Sequence, residues 1–512
     1  MDATITLGTR TLTVEDVTAV ARGRATVEIS ADAFSAMEAS RAHIDRLAQS
    51  GEPVYGVSTG FGALATKYID PLLRHQLQRS LVRSHAAGTG AEVETEVVRA
   101  MMLLRLATLC TGRTGVRATT ARAYAGMLNA EITPRVPEYG SLGCSGDLAP
   151  LAHCALALMG EGDVRDAAGR LQPAAEALAA VGLVPVELED KEGLSLINGT
   201  DGMLGMLSLA IVDLGELVKA ADIAAAMSIE GLLGTDRVLA ADIQALRPHP
   251  GQAASARNMT RMLEGSGIIA SHRTADNNVQ DAYSLRCAPQ VAGAVRDTIA
   301  HAQTVASREL ASAIDNPVVL LDGRVESNGN FHGAPVAYVL DFLAIVATDL
   351  ASMSERRTDR ALDPARSHGL PAFLAQDPGV DSGHMIAQYT AASIVNEMKR
   401  LAAPASVDSI PSSAMQEDHV SMGWGAARKL RRSVDGLARV LGIELITAAR
   451  ALDLRAPMTP SPATAAVLAL VRGRVAGVGP DRFMSPEIEA AYEIVSGGQV
   501  VAAAQAVVGE ME

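Results

Sequence analysis

The fold is decided by a long apolar stretch, residues 202–230, which reads GMLGMLSLAIVDLGELVKAADIAAAMSIE. Alanine, leucine and methionine favour helices, and strand signals are almost absent from this stretch. Comparable stretches follow along the chain, at residues 291–312, 336–360, 385–401 and 424–452. The sequence therefore predicts a mainly α protein, in which a long-helix bundle over residues 198–512 follows a smaller N-terminal domain over residues 1–197.

The first 197 residues predict helices, loops and a few short strands. Residues 4–7 alternate polar and apolar side chains, which is typical of a short strand. Ser30 can cap a helix that ends near Gly51, and a second apolar helix covers residues 97–110. Only 3% of the residues are aromatic, so the core must be packed by small and aliphatic side chains that let helices approach closely.

Bulk properties exclude several functional classes. A chain of 512 residues exceeds one ordinary core, and a net charge of −14 argues against nucleic acid or an anionic membrane as partner. We find no targeting signal, transmembrane span, zinc spacing or Walker A string, so we expect a cytoplasmic protein without a bound metal. The four widely spaced cysteines indicate reduced thiols: Cys110, Cys144, Cys154 and Cys287.

Residues 143–146, Gly-Cys-Ser-Gly, are the stretch with the most distinctive chemistry. Attack of the Gly146 nitrogen on the Cys144 carbonyl closes a five-membered ring with loss of one water, and loss of a second water from Ser145 would give an electrophilic methylene on that ring. The attack requires a residue without a side chain at position 146. A serine-hydrolase elbow is excluded because Asp147 stands where its second glycine is required. The simplest alternative is a glycine-rich turn before a helix.

The surrounding sequence favours the electrophile. Residues 139–153, YGSLGCSGDLAPLAH, resemble the signature of the aromatic amino acid ammonia-lyases, and within that family the histidine-specific branch of actinobacteria. Further matching motifs occur in the same order, at residues 55–62, 84–88, 198–200, 280–286 and 416–422. The resemblance implies a 4-methylideneimidazole-5-one (MIO) group formed autocatalytically from Cys144, Ser145 and Gly146, with no external cofactor. It also implies a homotetramer whose active sites are shared between subunits.

Three further residues acquire roles through this resemblance. Tyr55 matches the tyrosine that removes the β-proton of the substrate, and its glycine-rich neighbourhood would allow it to move. Tyr283 and Asn198 match residues that support the ring and the substrate. Without the resemblance, Tyr55 would be interpreted as a half-buried structural tyrosine.

The motif Gln280-x-x-Tyr283-x-x-Arg286 supplies a candidate carboxylate clamp. A guanidinium can hold both carboxylate oxygens in one plane, and a helical turn would place the three side chains on one side. We therefore expect Gln280 and Arg286 to bind substrate. Phe331 matches a residue near the ring, although a core phenylalanine is the alternative.

Substrate choice is assigned to His85 and Glu417. Relatives that act on tyrosine or phenylalanine place a leucine at the position of His85, next to Ser84. A carboxylate and a second imidazole can pair both nitrogens of an imidazole ring, which a phenyl ring cannot satisfy. The expected reaction is elimination of ammonia from L-histidine to give trans-urocanate, the first step of histidine degradation.

The sequence leaves two alternative functions open. An MIO-dependent lyase or aminomutase acting on another aromatic amino acid would use the same ring, and a non-enzymatic helical scaffold would explain the alanine-rich helices alone. Cys144 departs from the alanine that is commonest in the family. Its thiol could react with the electrophile or only fill space.

Overall fold

The computed structural model describes residues 3–50, 56, 58–60, 64, 66–273 and 279–512. Within them the chain forms two compact units, and neither is continuous in sequence. Unit 1 comprises Met1–Val212, Gln303–Leu340 and Pro404–Arg428, whereas unit 2 comprises Asp213–Ala302, Asp341–Ala403 and Lys429–Glu512.

Unit 1 contains short helices and small sheets. Its helices are α1 (Val14–Ala21), α2 (Ala31–Ser50), α3 (Arg74–His85), α4 (Thr95–Leu109), α5 (Ala118–Asn129), α6 (Leu148–Leu158), α7 (Ala174–Ala180) and α8 (Glu192–Ser195). Its strands are β1 (Ala3–Leu7), β2 (Ala25–Ile29), β3 (Thr89–Glu92), β4 (Thr133–Pro134), β5 (Pro137–Tyr139), β6 (Asp163–Arg165), β7 (Leu171–Pro173), β8 (Val318–Val319) and β9 (Val325–Glu326). The strands pair as β1-β2, β3-β5, β4-β6-β7 and β8-β9, and only β1 and β2 run parallel.

One buried arginine joins the helices at the start of unit 1. Arg99 of α4 donates to the carbonyl oxygen of Val20, at the end of α1, at 2.9 Å. It also donates to that of Leu128, near the end of α5, at 3.1 Å. The last carbonyls of a helix have no partner within the helix, so a guanidinium there satisfies them and favours the negative end of each helix dipole.

Four of the five boundaries between the units fall within long helices. These helices are α9 (Asp201–Gly231), α14 (Ala288–Leu310), α15 (Ala334–Leu362) and α17 (Gly423–Leu454). The single division after residue 197 that the sequence suggests therefore differs from the contact-based units. Unit 1 also takes in residues 303–340 and 404–428, because compactness is set by contacts between segments that are far apart in sequence.

The regular structure in the described part of unit 2 is helical. In addition to its parts of the four long helices it contains α10 (Ala241–Ala245), α11 (Pro250–Leu263), α12 (Gly267–His272), α13 (Tyr283–Arg286), α16 (Met385–Leu401), α18 (Pro462–Arg472), α19 (Ser485–Ser496) and α20 (Gln499–Val508). Small residues allow these helices to approach closely. A Cβ at Gly231 would lie 3.0 Å from the Cβ of Ala451, and one at Gly442 would lie 3.0 Å from the nitrogen of Tyr492. The scarcity of aromatic side chains is consistent with this packing.

Most helices predicted from sequence are confirmed. The predicted helix over residues 385–401 has the observed bounds of α16, and the other four long helices differ by one to three residues at their ends. The predicted strand at residues 4–7 is part of β1. Ser30 accepts a hydrogen bond from the nitrogen of Ala33 at 3.1 Å, as expected of a residue that caps α2. The mainly α class is therefore confirmed.

Among the described residues, one helix is long and apolar enough to cross a membrane by length and composition. This helix is α15, which the sequence analysis did not identify as such a candidate. Of its most apolar window, 61% is buried within the protein. That burial is typical of a core helix.

Unit 2 is stabilised by a buried ion pair between α15 and α17. Arg357 donates to both carboxylate oxygens of Glu444, from Nε at 2.5 Å and from Nη2 at 2.8 Å, and the two side chains are 2% and 1% exposed. Ser228 donates a further hydrogen bond to Glu444 at 2.7 Å. Removing one partner of such a pair leaves an uncompensated buried charge.

We predict that Glu444→Gln lowers the stability of the protein by about 3–5 kcal/mol, because Arg357 would stay buried without its counter-charge. The measurement is the midpoint of thermal unfolding. The matched control is Asp322→Asn, which breaks an ion pair with Arg324 whose side chains are 56% and 63% exposed. The unfolding midpoint of Asp322→Asn should stay close to the wild-type value. Equal shifts of the midpoint in the two variants would contradict the prediction.

Candidate active site

The tripeptide Cys144-Ser145-Gly146 lies in a tight turn directly before α6. Gly143 and Gly146 form an antiparallel bridge, and both have left-handed backbones, with φ of 67° and 76°. Gly146 also forms a parallel bridge with Gly199, and a Cβ at residue 146 would lie 1.9 Å from the oxygen of Gly199. No residue other than glycine can therefore occupy position 146. This is the feature that cyclisation of the tripeptide requires.

Hydrogen bonds of Asp147 hold the turn in place. Its carboxylate accepts hydrogen bonds from Ser141 Oγ and from the nitrogen of Met203, both at 2.9 Å. Its own nitrogen donates to the oxygen of Gly199 at 2.7 Å. Complete burial raises the pKa of Asp147 to about 7, partly offset by these hydrogen bonds. The backbone of Asp147 thus attaches the turn to the segment before α9, and its side chain attaches the turn to the first residues of α9.

A cavity of about 630 Å³ lies beside this turn. It brings together four of the residues predicted from sequence, namely His85, Ser145, Asn198 and Glu417. A smaller neighbouring cavity of about 270 Å³ is lined by Cys144, Gly146 and again His85. All of these residues belong to unit 1. The tripeptide therefore borders two neighbouring cavities, and the one beside Ser145 is large enough for an amino acid.

His85 and Glu417 present hydrogen-bond acceptors. The Nδ1 atom of His85 lies 2.9 Å from the carbonyl oxygen of Leu81, which can only accept, so we assign the proton to Nδ1 and leave Nε2 as an acceptor. Burial lowers the pKa of His85, which favours the neutral ring. Oε2 of Glu417 is buried and has no hydrogen-bond partner among the described residues. Both groups remain available to a ligand.

Asn198 contributes a third unused polar atom. It lies between α8 and α9 and is 1% exposed. Its Nδ2 donates to the carbonyl oxygen of Asn316 at 2.8 Å, whereas its Oδ1 has no hydrogen-bond partner within the part of the chain that is described. A buried amide oxygen left in this state is costly unless a ligand donates to it.

The helix dipoles add a positive potential at the same place. α6 begins at Leu148, two residues after the tripeptide, and α9 begins at Asp201, three residues after Asn198. The first turn of α6 carries a partial positive charge. In α9, the nitrogen of Met203 already donates to the carboxylate of Asp147 at 2.9 Å. The start of α6 therefore favours negative charge on groups bound beside the turn.

Gln280, Tyr283 and Arg286 form a separate cluster in unit 2. The guanidinium of Arg286 lies over the ring of Tyr283, 4.7 Å from its centroid, and donates a hydrogen bond to Oε1 of Gln280. The structure thus brings these three side chains together, although the helical turn covers only the last four residues of the motif, Tyr283–Arg286. Tyr283 is 69% exposed in the single chain.

Three other predicted features have different outcomes. Tyr55 lies outside the described residues. Phe331 is half-buried directly before α15, and it is not among the described residues that line either cavity. Burial raises the pKa of the Cys144 thiol, which disfavours the reactive thiolate.

Four polar residues that line the larger cavity were not predicted from the sequence: Lys67, Ser80, Asn316 and Ser413. None of them belongs to a motif that was recognised. The only available signal was position, since Ser413 stands four residues before Glu417. For the described residues, no group of three or more histidine, cysteine, aspartate or glutamate side chains could hold a metal ion.

Comparison with known proteins agrees with this site. The model of the family described as "Aromatic amino acid lyase" matches residues 12–473, and the chain belongs to that family. A protein named histidine ammonia-lyase from Streptomyces coelicolor is 64% identical over 509 residues, which cover 99% of each chain.

Two solved structures share the fold. The histidine ammonia-lyase of Trypanosoma cruzi superimposes with a TM-score of 0.91 at 38% identity, covering 99% of this chain and 96% of the other. A tyrosine aminomutase from Streptomyces globisporus superimposes with a TM-score of 0.93 at 38% identity and covers both chains completely. The fold alone therefore does not separate lyases from aminomutases.

We predict that Gly146→Ala prevents maturation of the tripeptide, because the new methyl group would collide with Gly199. The measurement is intact mass, since ring formation removes two waters. Gly169→Ala is a matched control, because Gly169 has the same φ of 76° and no atom lies within 4 Å of the place its methyl group would take. The Gly169→Ala variant should lose only about 1–2 kcal/mol of stability to backbone strain, and its tripeptide should mature normally. Full loss of two waters from Gly146→Ala would contradict the steric argument.

Proposed function

We propose that this carbon–nitrogen lyase eliminates ammonia from L-histidine to give trans-urocanate, the first step of histidine degradation. The observation that carries the proposal is the cavity in which the glycine-only turn at Ser145 meets His85 and Glu417. The name of the relative that is 64% identical over nearly its whole length supports the same activity.

The residues of the turn fit an MIO group formed from Cys144, Ser145 and Gly146. Position 146 accepts no side chain, and the free N–H groups that begin α6 follow directly. When formed, the group supplies an electrophile for the substrate amine, which makes nitrogen a better leaving group. The positive end of α6 favours the negative charge that accompanies this chemistry.

The remaining catalytic tasks fall to side chains of the protein. We assign removal of the β-proton to Tyr55, with Tyr283 as a supporting residue, and substrate carboxylate binding to Arg286, oriented by Gln280. The stacking of Arg286 on Tyr283 holds the guanidinium plane in a defined orientation. Phe331 is assigned to the wall near the ring. All of these roles follow from the motifs. The contacts of Arg286 with Gln280 and Tyr283 support the roles of those three residues.

Specificity for histidine rests on two acceptors. The proton on Nδ1 of His85 leaves Nε2 as an acceptor, and Oε2 of Glu417 has no hydrogen-bond partner among the described residues. A substrate ring with two N–H groups, the imidazolium form, would satisfy both acceptors. A phenyl ring would leave both acceptors unpaired, and such a mismatch discriminates strongly. The polar cavity therefore favours a histidine lyase over an aminomutase that acts on tyrosine.

We further propose a homotetramer in the cytoplasm, with active sites completed by residues of neighbouring subunits. Unit 2 exposes apolar side chains one helical turn apart, Phe342 and Ile345 on α15 and Ile386 and Tyr389 on α16, each 42–60% exposed in the single chain. Large apolar side chains that are exposed one helical turn apart are typical of subunit interfaces. The four free cysteines fit a reducing compartment.

The central test is the intact mass and activity of Ser145→Ala. The wild-type protein should weigh two waters less than its sequence and convert L-histidine to trans-urocanate. Ser145→Ala should keep the full mass and an unchanged unfolding midpoint, and should lose nearly all activity because no electrophile can form. An active wild-type preparation of full unmodified mass would refute the proposed chemistry.

The specificity test is His85→Leu. It should lower kcat/KM for L-histidine by about 10- to 100-fold, the effect of one lost buried hydrogen bond, and affect L-phenylalanine and L-tyrosine less. His75→Leu makes the same change on the same helix at a side chain that is 60% exposed, and should leave all three substrates unaffected. Equal losses on the three substrates would refute the role of His85.

A further inference from the structure

A buried ion pair lies next to Asn198, outside the groups assigned above. The Nζ atom of Lys191 is 2.5 Å from Oδ2 of Asp315, and both side chains are completely buried. Lys191 also donates to Ser195 Oγ at 3.1 Å. Burying two charges costs free energy that is recovered only when the geometry is good and the remaining atoms are hydrogen-bonded. The second carboxylate oxygen of Asp315 must therefore also have hydrogen-bond partners.

That second oxygen, Oδ1, contacts the side chain of Asn198. It lies 3.4 Å from Nδ2 of Asn198 and accepts a hydrogen bond from the nitrogen of Asn316 at 2.8 Å. The carbonyl oxygen of Asn316 accepts from the same Nδ2 at 2.8 Å. The nitrogen of the Asn198 amide thus lies within hydrogen-bond distance of an oxygen of residue 315 and an oxygen of residue 316.

This arrangement fixes which way the Asn198 amide faces. A carboxylate and a carbonyl have no hydrogen to donate, so only the nitrogen side of the amide can face them. Oδ1 of Asn198 must then lie on the opposite side, where it is buried and has no hydrogen-bond partner among the described residues. Since Asn198 lines the cavity, the amide offers a ligand an acceptor and no donor.

Arg105 fixes the backbones on which this arrangement depends. Its guanidinium is completely buried and donates to the carbonyl oxygens of Asn198 at 2.7 Å and Ile314 at 2.9 Å. The two segments are therefore joined by their main chains as well. The rotation of the Asn198 amide is the remaining variable, and Asp315 is the charged group that restricts it.

We propose that Asp315, held by Lys191, is a positioning residue that turns Oδ1 of Asn198 towards the cavity to accept a hydrogen bond from the amine of the substrate. The amine is the group of an amino acid that can donate there while the ring occupies His85 and Glu417. The inference rests on the proposed function, because it needs an amino acid in this cavity. It assigns to Lys191 and Asp315 an effect on the reaction that passes through Asn198.

The first test is Asp315→Asn, which keeps the shape of the side chain but removes its charge and allows the amide of Asn198 to rotate. We expect kcat/KM for L-histidine to fall by about 10- to 100-fold. Lys191→Met should produce a loss in the same range, and Lys191→Arg should restore most of the activity because a guanidinium can hold the same carboxylate. Wild-type kcat/KM in both Asp315→Asn and Lys191→Met would overturn the proposal.

A double-mutant cycle separates positioning from general destabilisation. In the Asn198→Ala background, Asp315→Asn should change kcat/KM by less than about twofold, since the group through which it acts is absent. If the full loss persists in that background, Asp315 does not act through Asn198. The matched control is Asp222→Asn in unit 2, where a buried carboxylate likewise contacts a cation, Arg296 at 2.6 Å, and an asparagine, Asn258 at 2.9 Å. That variant should lower the unfolding midpoint and leave kcat/KM unchanged.

A binding measurement removes any dependence on maturation. In Ser145→Ala, calorimetry should detect the binding of L-histidine and of trans-urocanate, which lacks the amine. Adding Asp315→Asn should weaken the binding of L-histidine by about tenfold and change the affinity for trans-urocanate by less than about twofold. Equal weakening of both ligands would overturn the assignment to the amine. A wild-type protein without activity on L-histidine would instead refute the proposed function, so the two failures are distinguishable.

Discussion

The site depends on the close approach of two backbone segments at Gly146 and Gly199. Their contact leaves no room for a Cβ at residue 146, and Asp147 adds a hydrogen bond to the oxygen of Gly199 at 2.7 Å. Because the first segment carries the tripeptide and the second carries Asn198, this contact places the reacting turn and a polar side chain on one cavity. A side chain at the crossing would separate them.

Buried charges surround that crossing and connect stability with function. Asp147 lies under the turn, Arg105 is ion-paired with Asp201 at 3.3 Å, and Lys191 is paired with Asp315. Each charge is paired or hydrogen-bonded, as the cost of burying an isolated charge requires. A network that cannot rearrange without exposing a charge keeps the carbonyls and amides of the site in fixed directions. The acceptors of His85, Asn198 and Glu417 are then available before any ligand binds.

Helices were largely predictable from the sequence, because the periodicity of apolar residues is a local property of each segment. The predicted bounds of α16 are those observed, and the capping role of Ser30 also needed only local sequence. The division into units was less predictable. Four long helices are each split between the two units, since compactness depends on contacts that a linear pattern does not contain.

The sequence by itself determined the helical class, the chemistry available to residues 144–146 and the motifs that carry His85, Asn198, Arg286 and Glu417. Only the tertiary structure decided that Asn316 and Ser413 line the cavity, and that Lys191 reaches Asp315, 124 residues further along the chain. It also decided which face of the Asn198 amide is free. The physical reason is that hydrogen-bond direction and burial arise where distant segments meet, whereas residue type and periodicity are properties of each segment alone.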